Sequence, residues 1–251
     1  MEQTFGSTLK SWRERRRMSQ MELALTADVS ARHIAFLEKG RAQPSKAMVL
    51  RLCRHLDVPL ADRNSWLLAA GYAGHYKARP LGSAAMTPIR AAIEHMLATH
   101  DPYPGFVLDR HWCIRQANAS ATRLLGAIGV SIGTSLLEAF ADRERMAATF
   151  ENADEIRAHF ARRLKTESLH YCGDPILERA AQVMAEGLDL DAPALPSATI
   201  AAQLKAPGGL LSFLTVLAHF GSTEDIAVAE LKIELMFPAD DATTRWLTGQ
   251  T

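Results

Sequence analysis

The side chains with the most chemistry to offer stand near the start of this 251-residue chain. Arg13, Arg15, Arg16 and Arg17 are almost consecutive, and Arg32 and Arg41 follow them. A guanidinium stays charged at any physiological pH and grips oxyanions through a rigid fork of N–H donors. Net charge divides the same way: residues 1–79 hold 14 Lys+Arg against 7 Asp+Glu, and residues 80–251 hold 14 against 21. A basic head on an acidic body implies that only the head meets a polyanion such as nucleic acid. A solvated basic face is the plainer alternative. Reactive constellations are a different matter: no His-Glu-x-x-His, Gly-x-Ser-x-Gly, phosphate loop or dinucleotide fingerprint occurs. The carboxylates of GSTED (221–225) and PADD (238–241) stand at turns and helix starts, where capping accounts for them. A non-enzyme is expected.

Length and composition set the frame for these residues. Two domains are expected at this length, and 48% hydrophobic with 22% charged residues allows a packed core throughout. Cys53, Cys113 and Cys172 are odd in number and far apart, so neither a disulfide framework nor a zinc ribbon is indicated, and the thiols read as reduced. The polar, basic N-terminus has no apolar run behind it, and no stretch approaches eighteen apolar residues, so the expectation is a cytoplasmic protein without a membrane span.

Five short helices must position the head's arginines. Phe5, Leu9 and Trp12 form a helical stripe over 5–17. Ser19-Gln20-Met21-Glu22 is a capping box that opens a second helix with Leu23, Ala24 and Ala27 inward. Asp28-Val29 interrupts it, and Ser30 caps a third helix carrying Ile34 and Leu37. Gly40 stops the third helix, Ser45 caps a fourth with Val49, Leu52 and Leu56 inward, and a fifth from about Ala61 carries Leu67 and Leu68. Two short helices joined by a tight turn, with small Ala24 where they approach, have the geometry of a DNA-reading unit.

These residues, LKSWRERRRMSQMELALTADVSARHIAFLEKGRAQPS, resemble the Cro/repressor-like helix-turn-helix family over roughly Phe5 to Leu60. One departure is Asp28, where that family usually has glycine; aspartate tolerates positive φ better than most residues. The resemblance implies that the helix from Ser30 to Leu37 enters the major groove of double-stranded DNA. Arg32 then reads bases, because a guanidinium can bond O6 and N7 of guanine together. Ala31 and Phe36 are placed to touch thymine methyls, and Gln20, Ser30, His33 and Ser45 to anchor phosphates from helix starts. Arg13, Arg17 and Arg41 add positional charge.

Between Gly71 and Pro88 both periodicities lapse in a Gly-, Ala- and Pro-rich stretch, which predicts a linker. The domains are therefore expected at 1–75 and 88–251, with the linker at 76–87. Ile89, Ile93 and Leu97 mark a helix, Phe106–Leu108 and Trp112–Ile114 two short strands, and 118–125 a further helix. The middle, 136–187, reads as helical with Phe150, Ile156, Phe160 and Leu164 inward. Three more strands are expected at 199–205, 210–220 and 226–236.

FVLDRHWCIRQANASATRLLG is similar to the opening of a PAS domain, and HFGSTEDIAVAELKIELMFPADDATTRWL resembles the C-terminal part of the MmyB-like regulators, which join such a head to a PAS-like ligand-binding domain. RHIAFLEKGRAQPS, LADRNSWLLAAGYA and DPYPGFVLDRHWCIRQANASATRLL extend that resemblance over most of the chain; the middle departs from it, with Ala153 where the family has tryptophan. The implied fold class is two domains, an all-α helix-turn-helix head and an α+β PAS-like domain with an antiparallel sheet. The implied protein is a transcription regulator that works as a homodimer on a palindromic operator and holds a fatty acid or other apolar metabolite, with no cofactor required. Expected cavity walls are Phe106, Trp112, Phe140, Met146, Phe150, Phe160, Phe213 and Met236, with Arg115 and His219 as polar anchors. Ordinary core packing is the alternative for each, and a second domain that only dimerises or docks a protein is the alternative for the whole.

Overall fold

The computed structural model describes residues 4–190, 200–221 and 224–249. They pack as two compact units: one gathers the residues up to Ala78 with Ser168–Asp174 and the stretch ending at Ala229, and the other holds the remainder.

The first unit opens with α1 (Phe5–Arg15), α2 (Gln20–Thr26), α3 (Ala31–Glu38), α4 (Lys46–His55) and α5 (Leu60–Ala69). Four of the five start where a hydroxyl stands in the sequence, and α5 follows Pro59. Ser19 Oγ accepts the Glu22 N–H while the Glu22 carboxylate accepts the Ser19 N–H, a complete capping box. Ser30 accepts the His33 N–H and Ser45 the Met48 N–H in the same way. None of these helices exceeds 11 residues, so none is stable alone, and tertiary burial must hold them. Leu9, Leu23, Ala27, Ile34, Leu37, Val49 and Leu52 are fully buried in one cluster, closed by Trp66 against the rings of Phe5 and Trp12. The fifth helix turns its stripe by one position: Trp66 and Leu67 are buried, whereas Leu68, expected inside, is 64% exposed. An indole covers more core than a second leucine, and three successive residues of a helix span too wide an arc for all of them to face one side.

The rest of the chain forms α6 (Thr87–His100), β1 (Gly105–Leu108), β2 (Ile114–Ala117), α7 (Ala119–Ala127), α8 (Leu136–Ala141), α9 (Arg143–Thr149), α10 (Ala153–His170), α11 (Pro175–Ala185), β3 (Ala202–Ala206), β4 (Gly209–Ala218), α12 (Ile226–Ala229), β5 (Lys232–Pro238) and α13 (Asp241–Thr248). Among the described residues, the five strands join one antiparallel sheet in the order β2-β1-β5-β4-β3. The α+β reading with an antiparallel sheet is thus correct, and the third late strand is shorter than expected. Ile226–Ala229 is a helical turn started by Asp225, whose carboxylate accepts the Ala227 N–H, so β5 begins only at Lys232. Thr199, expected to begin a strand, lies outside the described residues.

Strand period decides which residues meet which layer. On one side of the sheet Val107, Ile233 and Leu235 pack against Ile93 and Leu97 of α6. Alternation sends Phe106, Lys232, Glu234 and Met236 to the opposite side, and Phe106 stands directly across from Glu234. Among the described residues no helix is long and apolar enough to cross a membrane.

After three helices of the head a residue other than glycine makes the same backbone turn. Arg17, Asp28 and Asp57, just after α1, α2 and α4, have φ of 55°, 52° and 48°, the left-handed conformation that L-residues adopt at a cost. Asp28 does what the glycine of the resembled family would do, with a Cβ that opposes it. Replacing Asp28 with glycine should therefore stabilise the first unit by about 0.5–1 kcal/mol, the steric relief exceeding glycine's extra chain entropy. Chemical denaturation followed at the head's tryptophans measures it, and a loss of stability would contradict the backbone argument.

Candidate functional site

α3 is an amphipathic helix with one face committed. Ile34 and Leu37 are buried, while Arg32 is exposed and its guanidinium lies 5.2 Å from the centre of the Phe36 ring. This cation–π contact holds an otherwise mobile side chain over the outer face. Ser30, Arg17, Arg41 and Ser45 are also exposed, and His33 is half-buried with its backbone N–H on the Ser30 cap. Ala31 is partly buried and packs against the head's core, so its methyl is only partly available outside.

Arg13 corrects an expectation. Rather than a free cation for phosphate, it is buried: Nε and Nη2 donate to the two Glu38 carboxylate oxygens at 2.6 and 3.2 Å, and Nη1 donates to the Met18 carbonyl at 2.7 Å. Gln20 is drawn into the same group, its amide nitrogen 2.7 Å from Glu38 Oε2. The reason is Glu38 itself, a carboxylate with a 4% exposed side chain at the end of α3, which burial would penalise heavily without ionic and amide donors. Arg13 and Gln20 thus fix α3 to α1 and α2.

The second unit holds an apolar cavity of about 80 Å³ between the sheet and its helices. Phe106, Leu204, Phe213 and Met236 line it from the strands; Leu125, Phe140, Ile156 and Phe160 line it from α7, α8 and α10, with Phe150 beside them. Phe140 packs edge-on against both Phe150 and Phe160. Six of the eight expected wall residues are therefore brought together. Met146 is buried elsewhere in the core, and Trp112 lies beneath the site without lining it.

Neither expected anchor is at the cavity. Arg115 is on the exposed side of β2 and pairs with Asp109, which the turn needs to cap the His111 and Cys113 N–H groups. His219 is exposed just past the end of β4. The cavity's polar residues are instead His159, Arg163, Thr215 and Glu234. Behind them lies a charged cluster built on Glu167, which accepts Lys232 Nζ at 2.6 Å, the Trp112 indole N–H at 3.0 Å and Arg163 Nε at 3.1 Å. Arg163 and Lys232 also lie 4.3 and 4.5 Å from the Trp112 ring centre. Burial opposes the Glu167 charge, yet Lys232, Arg163 and the indole outweigh it and hold the carboxyl below its ordinary pKa. Burial pushes Lys232 down, against the pull of Glu167. Glu234 differs: burial raises it, and neither Arg163 nor Lys232 offsets that.

Two consequences can be measured. Glu38→Ala leaves the buried Arg13 guanidinium with only the Met18 carbonyl and the more exposed Glu14 carboxylate, 3.5 Å away, and should cost about 1.5–3 kcal/mol in denaturant unfolding; a loss below 1 kcal/mol would show that the clamp does not hold α3. For Glu234, the raised pKa makes the folded protein keep a proton that the unfolded chain releases, so the wild type loses stability as pH rises past the ordinary glutamate range. Glu234→Gln removes this term: its stability relative to wild type should climb between pH 4 and pH 7, and a difference that falls over that range would contradict the assignment.

Comparison with known proteins agrees with this geometry. Residues 4–66 match a helix-turn-helix domain model, which spans the five helices of the head up to Trp66. Residues 89–248 match the model of the MmyB-like transcription regulator ligand binding domain, from α6 to the end of α13. No curated protein matches the chain. With more than half of its length inside that second match, and a DNA-binding head before it, the chain belongs to the MmyB-like transcription regulators.

Proposed function

We propose that the chain is a cytoplasmic, sequence-specific DNA-binding regulator that acts as a homodimer on a palindromic duplex site and responds to a small molecule held in its second unit. The observation that carries the DNA half is the division of α3: Ile34 and Leu37 are sealed into the core while Arg32 stands outside, steadied by Phe36. In this reading Arg32 grips the edge of a guanine, Phe36 and the exposed part of Ala31 meet thymine methyls, and Ser30, His33, Ser45, Arg17 and Arg41 position the phosphates. Arg13 and Gln20 act at one remove, by setting the angle of α3. Two heads are needed because one eight-residue helix reads too few bases to specify a genomic address.

The ligand half rests on the match to a ligand-binding domain and on a cavity with apolar walls and a few convergent polar groups. One sheet packed against helices with a cavity between them is also what a PAS-like sensor uses. The ligand in this reading is apolar or fatty-acid-like, and no cofactor is required. It alters DNA affinity by favouring one arrangement of the dimer over another. One observation favours a second reading, a filled core that only dimerises: about 80 Å³ is roughly half the ~150 Å³ of a cavity that admits benzene. Native mass spectrometry of the purified dimer decides between them, since co-purified mass supports the sensor and bare protein the filled core.

Arg32→Ala should cost about 1–3 kcal/mol of operator affinity and relax preference at a single base pair. Titration on operators mutated position by position checks it, and an unchanged binding curve would remove Arg32 from the reading surface.

A further inference from the structure

α6 covers one side of the sheet only in part. Ile93 and Leu97 form a cluster with Val107 and Ile233, and Leu235 of β5 and Ala218 at the end of β4 pack against it. The register carries that side onward: Val216 pairs with Leu235 and Leu214 with Phe237, and the two-residue strand period adds Leu210. Here the side chains are open, with Leu210 43% exposed, Val216 50% and Phe237 37%. The other side of β4 is buried through Leu211 and Phe213. The strand is therefore apolar on both sides, the pattern of a sheet covered twice. Trp246 of α13, 51% exposed, stands one turn beyond Thr243, whose hydroxyl accepts the Ser212 N–H at 2.9 Å. Four of the ten large apolar side chains exposed among the described residues thus gather on β4, β5 and α13, whereas the same residues scattered singly would need no account.

We propose that this face is the dimer interface, its occupant the same face of a second copy of the chain related by a twofold axis. The inference rests on the homodimer reading above and assigns the surface within it.

Charge argues for a second copy. Residues 80–251 hold 14 Lys+Arg against 21 Asp+Glu, so two such bodies repel over most of their surfaces. The β3, β4 and β5 residues on this side include no carboxylate, and the one charge among them, Lys205, lies 3.4 Å from Glu151. Like bodies can meet here without setting acid against acid. At the border, Asp241 and Arg245 give α13 an exposed charge of each sign, and a twofold contact can set the arginine of one copy toward the aspartate of the other.

Pairing through a sheet edge is opposed by the chain itself. Beside β3 the Glu151 N–H donates to the Gln203 carbonyl and the Gln203 N–H to Asn152 Oδ1; beside β2 the Ile114 N–H donates to the Thr134 carbonyl and the Gly133 N–H to the Ile114 carbonyl. The face is also preformed: the Phe237 ring is packed edge-on against His100, centres 4.9 Å apart, so contact orders little.

The test is sedimentation equilibrium of the full-length protein at micromolar concentration. Wild type should be dimeric. Val216→Glu, which sets a carboxylate on the face, and Trp246→Ala should each weaken the dimer about thirtyfold or more, with circular dichroism unchanged because both side chains stand outside the core. Ile132→Glu, at an exposed apolar side chain beside β2 and so at the far edge of the sheet, should leave the dimer intact. Should Val216→Glu lose the wild-type circular dichroism, Trp246→Ala decides. A dimer that withstands the substitutions on the face, or that Ile132→Glu weakens equally, would overturn this interface and leave the homodimer reading in place. A wild-type monomer would overturn both and leave the face to a different protein.

Discussion

The carboxylate of Glu38 is the constraint on which the reading head depends. A helix as short as α3 has too few internal hydrogen bonds to persist in water, and burial of Ile34 and Leu37 fixes only its facing. Its axial position is fixed by a charge that must be compensated: Arg13 from α1 and Gln20 from α2 converge on Glu38 at its last turn. Paired donors in fixed directions specify geometry more tightly than apolar packing does. In the proposed DNA-binding reading, a rigid α3 spares the cost of ordering the helix when Arg32 meets a base edge.

The second unit uses a buried carboxylate in two contrasting ways. Glu167 is satisfied by a lysine, an arginine and an indole, so it ties α10 to β5 and to the turn before β2. Glu234, two residues along from Lys232 on the same face of β5, has no hydrogen bond at Oε2 among the described residues and only a long ion pair with Arg163 at 4.0 Å. A partly satisfied polar network weakens a fold, and such sites persist where function requires them. Stability in this unit therefore centres on Glu167.

Much of the fold was legible because its signals are local. The capping box at Ser19 and Glu22, the hydroxyl caps at Ser30 and Ser45, and the Asn118 cap of α7 each lie within three residues of the N–H they accept. Asp28 announced a left-handed turn, and the turn is there. What escaped is what depends on distant partners. Arg13 looks like its neighbouring arginines until Glu38, 25 residues away, takes it inside. In KIELMF, period two separates Ile233, Leu235 and Phe237 from Lys232, Glu234 and Met236, and a sheet with one wet face would expose the latter set. Here both faces are covered, so Lys232 and Glu234 are interior. Arg163 escaped for the same reason: a charge within the α10 stripe of Ile156, Phe160 and Leu164 reads as its edge, whereas the structure makes it a wall. Arg115 and His219 suit an anchor by residue type alone, and the turn at Asp109 and the exposed end of β4 account for them.

The central claim is that α3 reads base edges from a fixed platform. Repeated selection of the purified protein on a pool of random duplexes at moderate salt tests this most directly, because non-specific phosphate attraction enriches nothing. The account predicts convergence on one motif with two inverted half-sites about one helical turn apart, each containing a required guanine. A pool that remains random after several rounds would contradict it.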